Sequence, residues 1–219
     1  MEPDSSGRAS GLVAILRGVT PERVSETGRA LHEAGIRIIE VPLNSPEPFR
    51  SIELLARAHG SDCLIGAGTV LHANEVDSTH QAGGRLVVAP NCDVAVIERA
   101  LQFGMQVMPG IGTATEAFTA IHAGATQLKL FPAVTYGPQH LRAMKAVLPR
   151  AVQVFPVGGI GASDIPAWLA AGADGFGFGS ELFRPEYNLE DIAARARELV
   201  RTLRAARSQP TSQRPAANN

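Results

Sequence analysis

The chain has 219 residues, 45% of them hydrophobic, which is enough to fill the core of one domain. Its 20 basic and 21 acidic residues nearly cancel, which excludes the broad basic surface expected of a protein that binds nucleic acid or an anionic membrane. No apolar run is long enough to cross a bilayer.

Cys63 and Cys92 are the two cysteines of the chain, and they form neither a CxxC motif nor the even framework of a small secreted domain. The first residues lack the basic start and apolar run of a secretory signal. We therefore expect a cytoplasmic protein.

Eight runs of β-forming residues recur at intervals of about twenty residues, which leaves room for a helix and two short loops between neighbours. Their near-continuous apolar character indicates parallel strands that are buried on both faces. The predicted strands are residues 12–16, 37–42, 64–68, 85–89, 106–108, 127–130, 152–157 and 175–178. Eight such units predict an α/β fold of the (β/α)8 TIM-barrel type, with a doubly wound sheet as the alternative.

The barrel is expected to be a single domain over residues 11–206. Residues 1–10 and 207–219 lack apolar periodicity, so we predict a disordered N-terminus and a disordered C-terminal tail. Thr20-Pro21 and Ser45-Pro46 each place a capping residue before a proline and so predict helix starts.

Lys129 lies near the end of the sixth predicted strand, at the barrel edge where active sites are built. Leu128 and Leu130 should face the helices, which directs Lys129 into the barrel. A lysine with little access to water loses its proton more readily, and a neutral amine can form a Schiff base with a ketone. The alternative is an ordinary lysine on an edge strand, but a closed barrel has no edge strands.

Glu40 should also point inward, from the end of the second predicted strand. The second and sixth strands lie across an eight-stranded barrel from each other, so Glu40 and Lys129 can meet near its axis. There Glu40 can act as a general acid and base. The alternative is a structural ion pair without a catalytic role.

Glycine-bearing turns follow the last two predicted strands, at the positions where TIM barrels commonly bind phosphate. Gly158 and Gly159 lie in the first turn, and Gly179 and Ser180 in the second, before a short predicted helix. Backbone N–H groups in such turns can hold an anion without a basic surface.

Two further strand ends carry polar candidates. Arg17 ends the first strand and offers a guanidinium to a carboxylate or phosphate, although a solvated loop arginine fits equally well. Thr69 ends the third strand beside glycines that permit close approach of a ligand. No metal-binding motif is present, so we expect neither a metal nor another cofactor.

Five short motifs occur together in one order: AILRG, EVPLNSP, GAGTV, LKLFP and GGI, which begin at residues 14, 40, 66, 128 and 158. In these motifs the chain resembles the 2-keto-3-deoxy-6-phosphogluconate and 6-phosphogalactonate aldolases over about residues 11–184. The resemblance implies a class I aldolase with a Schiff-base lysine at Lys129 and a proton-transferring glutamate at Glu40. It also implies substrate-binding residues, namely Arg17, Thr69, Gly158, Gly159, Ile160, Gly179 and Ser180.

Asn44 points to one branch of this family, because the phosphogluconate branch typically has an arginine there. The resemblance then implies cleavage of 2-dehydro-3-deoxy-6-phosphogalactonate to pyruvate and D-glyceraldehyde 3-phosphate in galactonate catabolism. It further implies that the protein is a homotrimer and that its binding partner is a small molecule, a phosphorylated 2-keto-3-deoxy sugar acid. Three alternatives remain: the gluconate epimer as substrate, a phosphosugar isomerase or epimerase, and a non-catalytic sensor of phosphorylated sugars.

Overall fold

The computed structural model describes residues 11–208, so the predicted disorder of residues 1–10 and 209–219 lies outside the described residues. Within residues 11–208 there are nine strands, of which eight begin and end within one residue of a predicted strand; the ninth, two residues long, was not predicted. They are β1 (Leu12–Ile15), β2 (Ile38–Pro42), β3 (Leu64–Gly68), β4 (Leu86–Val88), β5 (Gln106–Met108), β6 (Gly110–Ile111), β7 (Gln127–Leu130), β8 (Gln153–Pro156) and β9 (Phe176–Phe178).

Helices follow the strands in this part of the chain, except that none lies between β5 and β6. They are α1 (Pro21–Ala34), α2 (Pro48–His59), α3 (Ala73–Gln81), α4 (Val94–Gln102), α5 (Ala114–His122), α6 (Ala133–Lys145), α7 (Ile165–Ala170) and α8 (Leu189–Ser208), with a short 3-10 helix (Ala162–Asp164) before α7. None of the helices within residues 11–208 is long and apolar enough to span a membrane.

All strand pairs are parallel, and they form two sheets with the orders β5-β4-β3-β2-β1-β9 and β6-β7-β8. The strand order follows the chain, and the last strand pairs with the first. This wrapping excludes the doubly wound alternative, in which the strand order reverses. The sheet is therefore curled and barrel-like, but it is not the single closed sheet that was predicted.

Two junctions separate the sheets. Pro109 separates β5, which is the fifth predicted strand and pairs with β4, from the unpredicted β6, which pairs with β7. Proline has no N–H to donate, so the ladder breaks there, although the Pro109 carbonyl still accepts a hydrogen bond from Lys129 N at 2.9 Å. At the second junction an isolated bridge joins Val157 to Gly177.

The hydrophobic core has two parts, as expected for strands that are covered on both faces. The larger part lies between the sheets and the helices and includes Leu128 and Leu130. The smaller part fills the interior of the curled sheet. It consists of Val13, Ile38, Leu86, Val88, Met108 and Phe155.

Two element boundaries differ from the predictions. Helix α1 begins at Pro21 as predicted, but α2 begins at Pro48 rather than Pro46. Ser45 does not cap that helix because its Oγ instead accepts a hydrogen bond from Gly18 N at 2.9 Å. Helix α8 continues to Ser208, two residues into the predicted tail, and Arg207 there donates to the Asp174 carbonyl at 2.7 Å.

Candidate active site

Lys129 lies on the interior face of β7, near the carboxyl end of the strand. Leu128 and Leu130 are fully buried in the core on the helix side, so alternation turns Lys129 the other way. The residue is 4% exposed. Its Nζ lies 4.9 Å from the centre of the Phe131 ring. The structure thus places a lysine with little access to water at the predicted position.

Glu40 is 1% exposed and lies on β2, where it pairs with Ile15 of β1 and Gly66 of β3. Its carboxylate packs directly against Gly68, because a Cβ on that glycine would overlap both carboxylate oxygens. The Oε2 atom has no hydrogen-bond partner among the described residues. A buried acceptor in this state favours a donor from outside the protein, such as a substrate hydroxyl.

Lys129 and Glu40 lie close enough to alter each other's ionisation, and the positive charge of Arg17 acts on both. Burial raises the pKa of the Glu40 carboxyl to about 7, although the positive charges of Lys129 and Arg17 act to lower it. Burial also lowers the pKa of Lys129, opposed by Glu40 and assisted by Arg17. Both shifts favour the neutral forms, which are an uncharged amine at Lys129 and a protonated carboxyl at Glu40.

Arg17 is held by two residues from neighbouring strand ends. Its Nη1 donates to Asn44 Oδ1 at 2.6 Å, and its Nη2 donates to Thr69 Oγ1 at 3.3 Å. Thr69 has a positive φ of 56°, which is uncommon for a residue other than glycine. The structure therefore brings the predicted Arg17 and Thr69 together and adds Asn44 to them.

Gly158 and Gly159 form the turn after β8, with positive φ angles of 96° and 71°. Glycine adopts this left-handed conformation without strain. The N–H groups of Gly159 and Ile160 donate no backbone hydrogen bond within residues 11–208. Gly159 is exposed, so a ligand can reach this turn.

Gly179 and Ser180 form a second turn after β9, and their N–H groups also donate no backbone hydrogen bond within the described range. The prediction of a short helix after Ser180 is wrong. Leu182 N and Phe183 N both donate to the Gly179 carbonyl, at 2.9 and 2.8 Å, and the next helix begins only at Leu189. Pro185 explains the difference, because a proline disfavours helical geometry at the residue before it.

A cavity of about 840 Å³ lies at the opposite end of the curled sheet. Its lining includes Gln106, Gln127 and Gln153, which are the first residues of β5, β7 and β8. None of the candidate site residues lines it. The candidate site therefore lies apart from this cavity, at the carboxyl ends of the strands, with the buried lysine, the buried carboxylate and the glycine turns. Residues 11–208 contain no group of three or more His, Cys, Asp or Glu arranged to hold a metal ion.

Comparison with known families decides the classification. The model of the KDPG and KHG aldolase family matches residues 4–195, which is most of the chain. The chain belongs to this family. A curated relative, the 2-dehydro-3-deoxy-6-phosphogalactonate aldolase of Escherichia coli (strain K12), is 46% identical over 195 residues, covering 89% of this chain and 95% of the relative.

Solved structures agree with membership of the KDPG and KHG aldolase family. A structure described as native KDPGal has 42% identity and a TM-score of 0.90, covering 95% of this chain and 99% of that chain. A cube-shaped protein cage, designed by fusing symmetric oligomeric domains, has 45% identity and a TM-score of 0.88. That match covers 90% of this chain and 73% of the cage chain.

Three site residues in this family member were not singled out from its sequence as contacts within the site. Gly68 packs against the Glu40 carboxylate, Asn44 binds Arg17, and Phe131 lies beside Lys129. Alternation along β7 could have indicated Phe131, since it lies two residues after Lys129 and shares its face. The contacts of Gly68 and Asn44 cross between strands, and no local sequence pattern reports them.

Proposed function

We propose that the chain is a class I aldolase that cleaves 2-dehydro-3-deoxy-6-phosphogalactonate to pyruvate and D-glyceraldehyde 3-phosphate. The observation that carries this proposal is the buried pair of Lys129 and Glu40, whose pKa values are both shifted toward the neutral forms. A neutral amine is the nucleophile that Schiff-base chemistry requires, and a carboxyl with a pKa near 7 can both give and take a proton.

The first half of the reaction forms the covalent intermediate. The neutral amine of Lys129 adds to the C2 ketone, and its proton passes to the former carbonyl oxygen to give a carbinolamine. Glu40 then donates a proton to that hydroxyl, water leaves, and an iminium ion forms between Lys129 and C2. Glu40 is left as a carboxylate.

The second half breaks the carbon–carbon bond. The Glu40 carboxylate takes the C4 hydroxyl proton, directly or through a water molecule, and the C3–C4 electron pair moves into the iminium to give an enamine. D-glyceraldehyde 3-phosphate leaves as the aldehyde. Protonation of the enamine at C3 and addition of water at C2 then release pyruvate and restore the free amine of Lys129.

The substrate carries a negatively charged carboxylate at one end and a negatively charged phosphate at the other. Each of these two groups needs its own anchor. We assign its carboxylate to Arg17, whose guanidinium is fixed by Asn44 and lies close enough to affect Lys129. The phosphate fits the two turns after β8 and β9, because their free N–H groups offer donors without a charged side chain. Thr69 completes the carboxylate end through its hydrogen bond with Arg17.

The galactonate epimer is the proposed substrate because two separate observations favour it. A relative with that printed activity is 46% identical over most of both chains. The chain also has Asn44 where an arginine is typical of the gluconate branch, and this asparagine binds Arg17. A second arginine at that position would place like charges side by side.

We further propose that the two sheets act as one (β/α)8 barrel and that three chains assemble into a homotrimer. The strand order supports the barrel, because it follows the chain within each sheet, β9 pairs with β1, and an isolated bridge joins the end of β8 to β9. The similarity to a cage built from symmetric oligomeric domains supports an oligomer. Sedimentation equilibrium tests the assembly, and a mass near that of one 23.1 kDa chain would contradict it.

Borohydride reduction in the presence of pyruvate tests the central proposal. Lys129 and Lys145 are the two lysines of the chain, so the modified residue is readily identified by peptide mass spectrometry. We expect reduction to attach pyruvate to Lys129. Unmodified Lys129, or modification at Lys145, would contradict the Schiff-base mechanism.

Parallel pyruvate-release assays on the two C4 epimers of the phosphorylated acid then test the substrate, and we expect a higher kcat/KM for the galactonate epimer.

A further inference from the structure

Phe131 follows Lys129 on the same side of the chain. Backbone pairing continues past the end of β7, because Phe131 N donates to the Ile111 carbonyl at 3.1 Å, just as Lys129 N donates to Pro109. Residues two apart in extended backbone share a face. The ring therefore projects beside the lysine, and 37% of the residue is exposed at the mouth of the site.

The ring is also held in place from the other side. A Cβ on Gly158 would lie 3.1 Å from Phe131 Cε2 and 3.2 Å from Cδ2, so the glycine backbone packs against the ring edge. Phe131 thus lies between the amine that reacts and the turn assigned to the phosphate. Lys129 Nζ, 4.9 Å from the ring centre, is well within the range at which an aromatic ring attracts a cation.

We propose that Phe131 is a catalytic residue whose ring stabilises the positive charge on Lys129 Nζ during formation of the iminium ion. This inference rests on the proposed Schiff-base function. The nitrogen remains attached to the lysine when it bonds to C2, so the new cation forms at the atom that already lies beside the ring. Since Lys129 is only 4% exposed, the ring replaces part of the lost hydration of that charge.

The two other charged groups that act on Nζ are Glu40 and Arg17. Glu40 becomes a carboxylate only after it has given up its proton, and Arg17 repels the iminium. The ring differs from both because its attraction for a cation does not depend on a protonation state. It therefore favours the iminium over the neutral carbinolamine at every pH in the working range.

Exchange of the pyruvate methyl protons with deuterium, followed by proton NMR, isolates this step because it needs the iminium and enamine but no phosphate. We expect Phe131→Leu to slow exchange at saturating pyruvate by about 3- to 30-fold. Phe131→Tyr keeps the aromatic face and should stay within about twofold of the wild type. Phe103→Leu is the matched control, since the Phe103 ring, just after α4, has the Arg99 guanidinium carbon 4.4 Å from its centre and lies outside the proposed site.

The pH dependence of the same exchange gives a second readout. Loss of the ring removes a favourable contact of the ammonium form, so the apparent pKa of Lys129 should fall by about half a unit in Phe131→Leu. Stepwise fluorination of phenylalanine at position 131 keeps the shape while weakening the negative ring face. The logarithm of the exchange rate should then fall in proportion to the number of fluorines.

The possible outcomes distinguish a wrong role for the Phe131 ring from a wrong Schiff-base assignment. If the wild type exchanges and traps pyruvate but Phe131→Leu exchanges equally fast, the cation–ring role is wrong and the Schiff base stands. If Phe131→Leu raises only the KM of the phosphorylated substrate, the ring merely supports the turn at Gly158. Absence of exchange in the wild type would overturn the Schiff-base assignment and this inference together.

Discussion

Arg17 and Asn44 form the shortest of the hydrogen bonds that hold the candidate carboxylate anchor, at 2.6 Å between Nη1 and Oδ1. Both side chains are exposed, so the contact has to order a long, flexible arginine that would otherwise sample many rotamers. The asparagine therefore determines where the guanidinium lies before the substrate arrives.

We expect Asn44→Ala to raise the KM for the phosphorylated keto acid by roughly tenfold, with a smaller change in kcat. In this variant the Arg17 side chain would become ordered only when the substrate binds. Asn74→Ala, at an exposed position on α3, is the matched control and should leave both constants unchanged. Steady-state kinetics by coupled detection of pyruvate measures both. An unchanged KM in Asn44→Ala would show that Arg17 does not depend on Asn44.

Lys129→Ala should abolish turnover while the fold remains native. The chain has one other lysine, Lys145, which pairs with Asp174 at 2.9 Å and so is not available to replace the proposed nucleophile. Circular dichroism should match the wild type while pyruvate release disappears. Lys145→Ala serves as the control and should retain turnover, though with lower stability. A near-normal rate in folded Lys129→Ala would rule out the Schiff base.

Glu40→Gln preserves the shape of the side chain but removes the carboxyl group that we propose transfers protons. We expect kcat to fall by about two to four orders of magnitude, since general acid–base catalysis commonly contributes that much. The KM should change less. If affinity collapsed while kcat survived, Glu40 would be a residue that positions the substrate.

Glu40 should also make stability depend on pH. Its pKa is raised from 4.5 to about 7 by burial, so folding favours the protonated form. The resulting stabilisation is fully present below pH 4.5 and is lost as pH rises through about 7. The free energy of unfolding of the wild type, relative to Glu40→Gln, should fall by roughly 3 kcal/mol from pH 4.5 to pH 8. Urea titrations at both pH values measure this, and an equal difference at the two would contradict it.

Ser180→Asp tests the proposed phosphate site at a position that does not have a positive φ angle. It places a carboxylate beside the free N–H groups, so the KM for the phosphorylated substrate should rise strongly while that for an unphosphorylated analogue changes little. Gly159 is a poorer test position, because its φ is 71° and any Cβ there would lie 2.6 Å from Val134 Cβ. Ser180→Ala controls for loss of the hydroxyl. Equal losses on both substrates in folded Ser180→Asp would mean that the phosphate binds elsewhere.

Much of the fold could be predicted because β/α units leave local signals. The eight predicted strands end within a residue of the observed ones, and Thr20-Pro21 correctly marks the start of α1. The errors arise where distant contacts override a local pattern. Ser45 resembles a helix cap but binds Gly18 N, and Pro109 interrupts a ladder whose partners lie on two different strands.

The site shows the same division. Lys129 and Glu40 could be placed in the interior because alternation along one strand is a local property. The pKa of Glu40 could not be predicted, since it depends on burial and on charges that come from other strands. The partners of Arg17 likewise follow from the packing of three strand ends, which a single sequence does not reveal.

The junction between β8 and β9 joins the two sheets through one isolated bridge, between Val157 and Gly177. Each proposed phosphate turn begins within two residues of that bridge, one on either side. A phosphate held by both turns therefore cross-links the sheets where backbone pairing is sparsest. Binding energy at this point opposes local opening, so the amides of β9 should exchange with solvent more slowly in the presence of inorganic phosphate. The bound phosphate would then strengthen the connection between the two sheets, which the polypeptide alone joins at this junction by one isolated bridge.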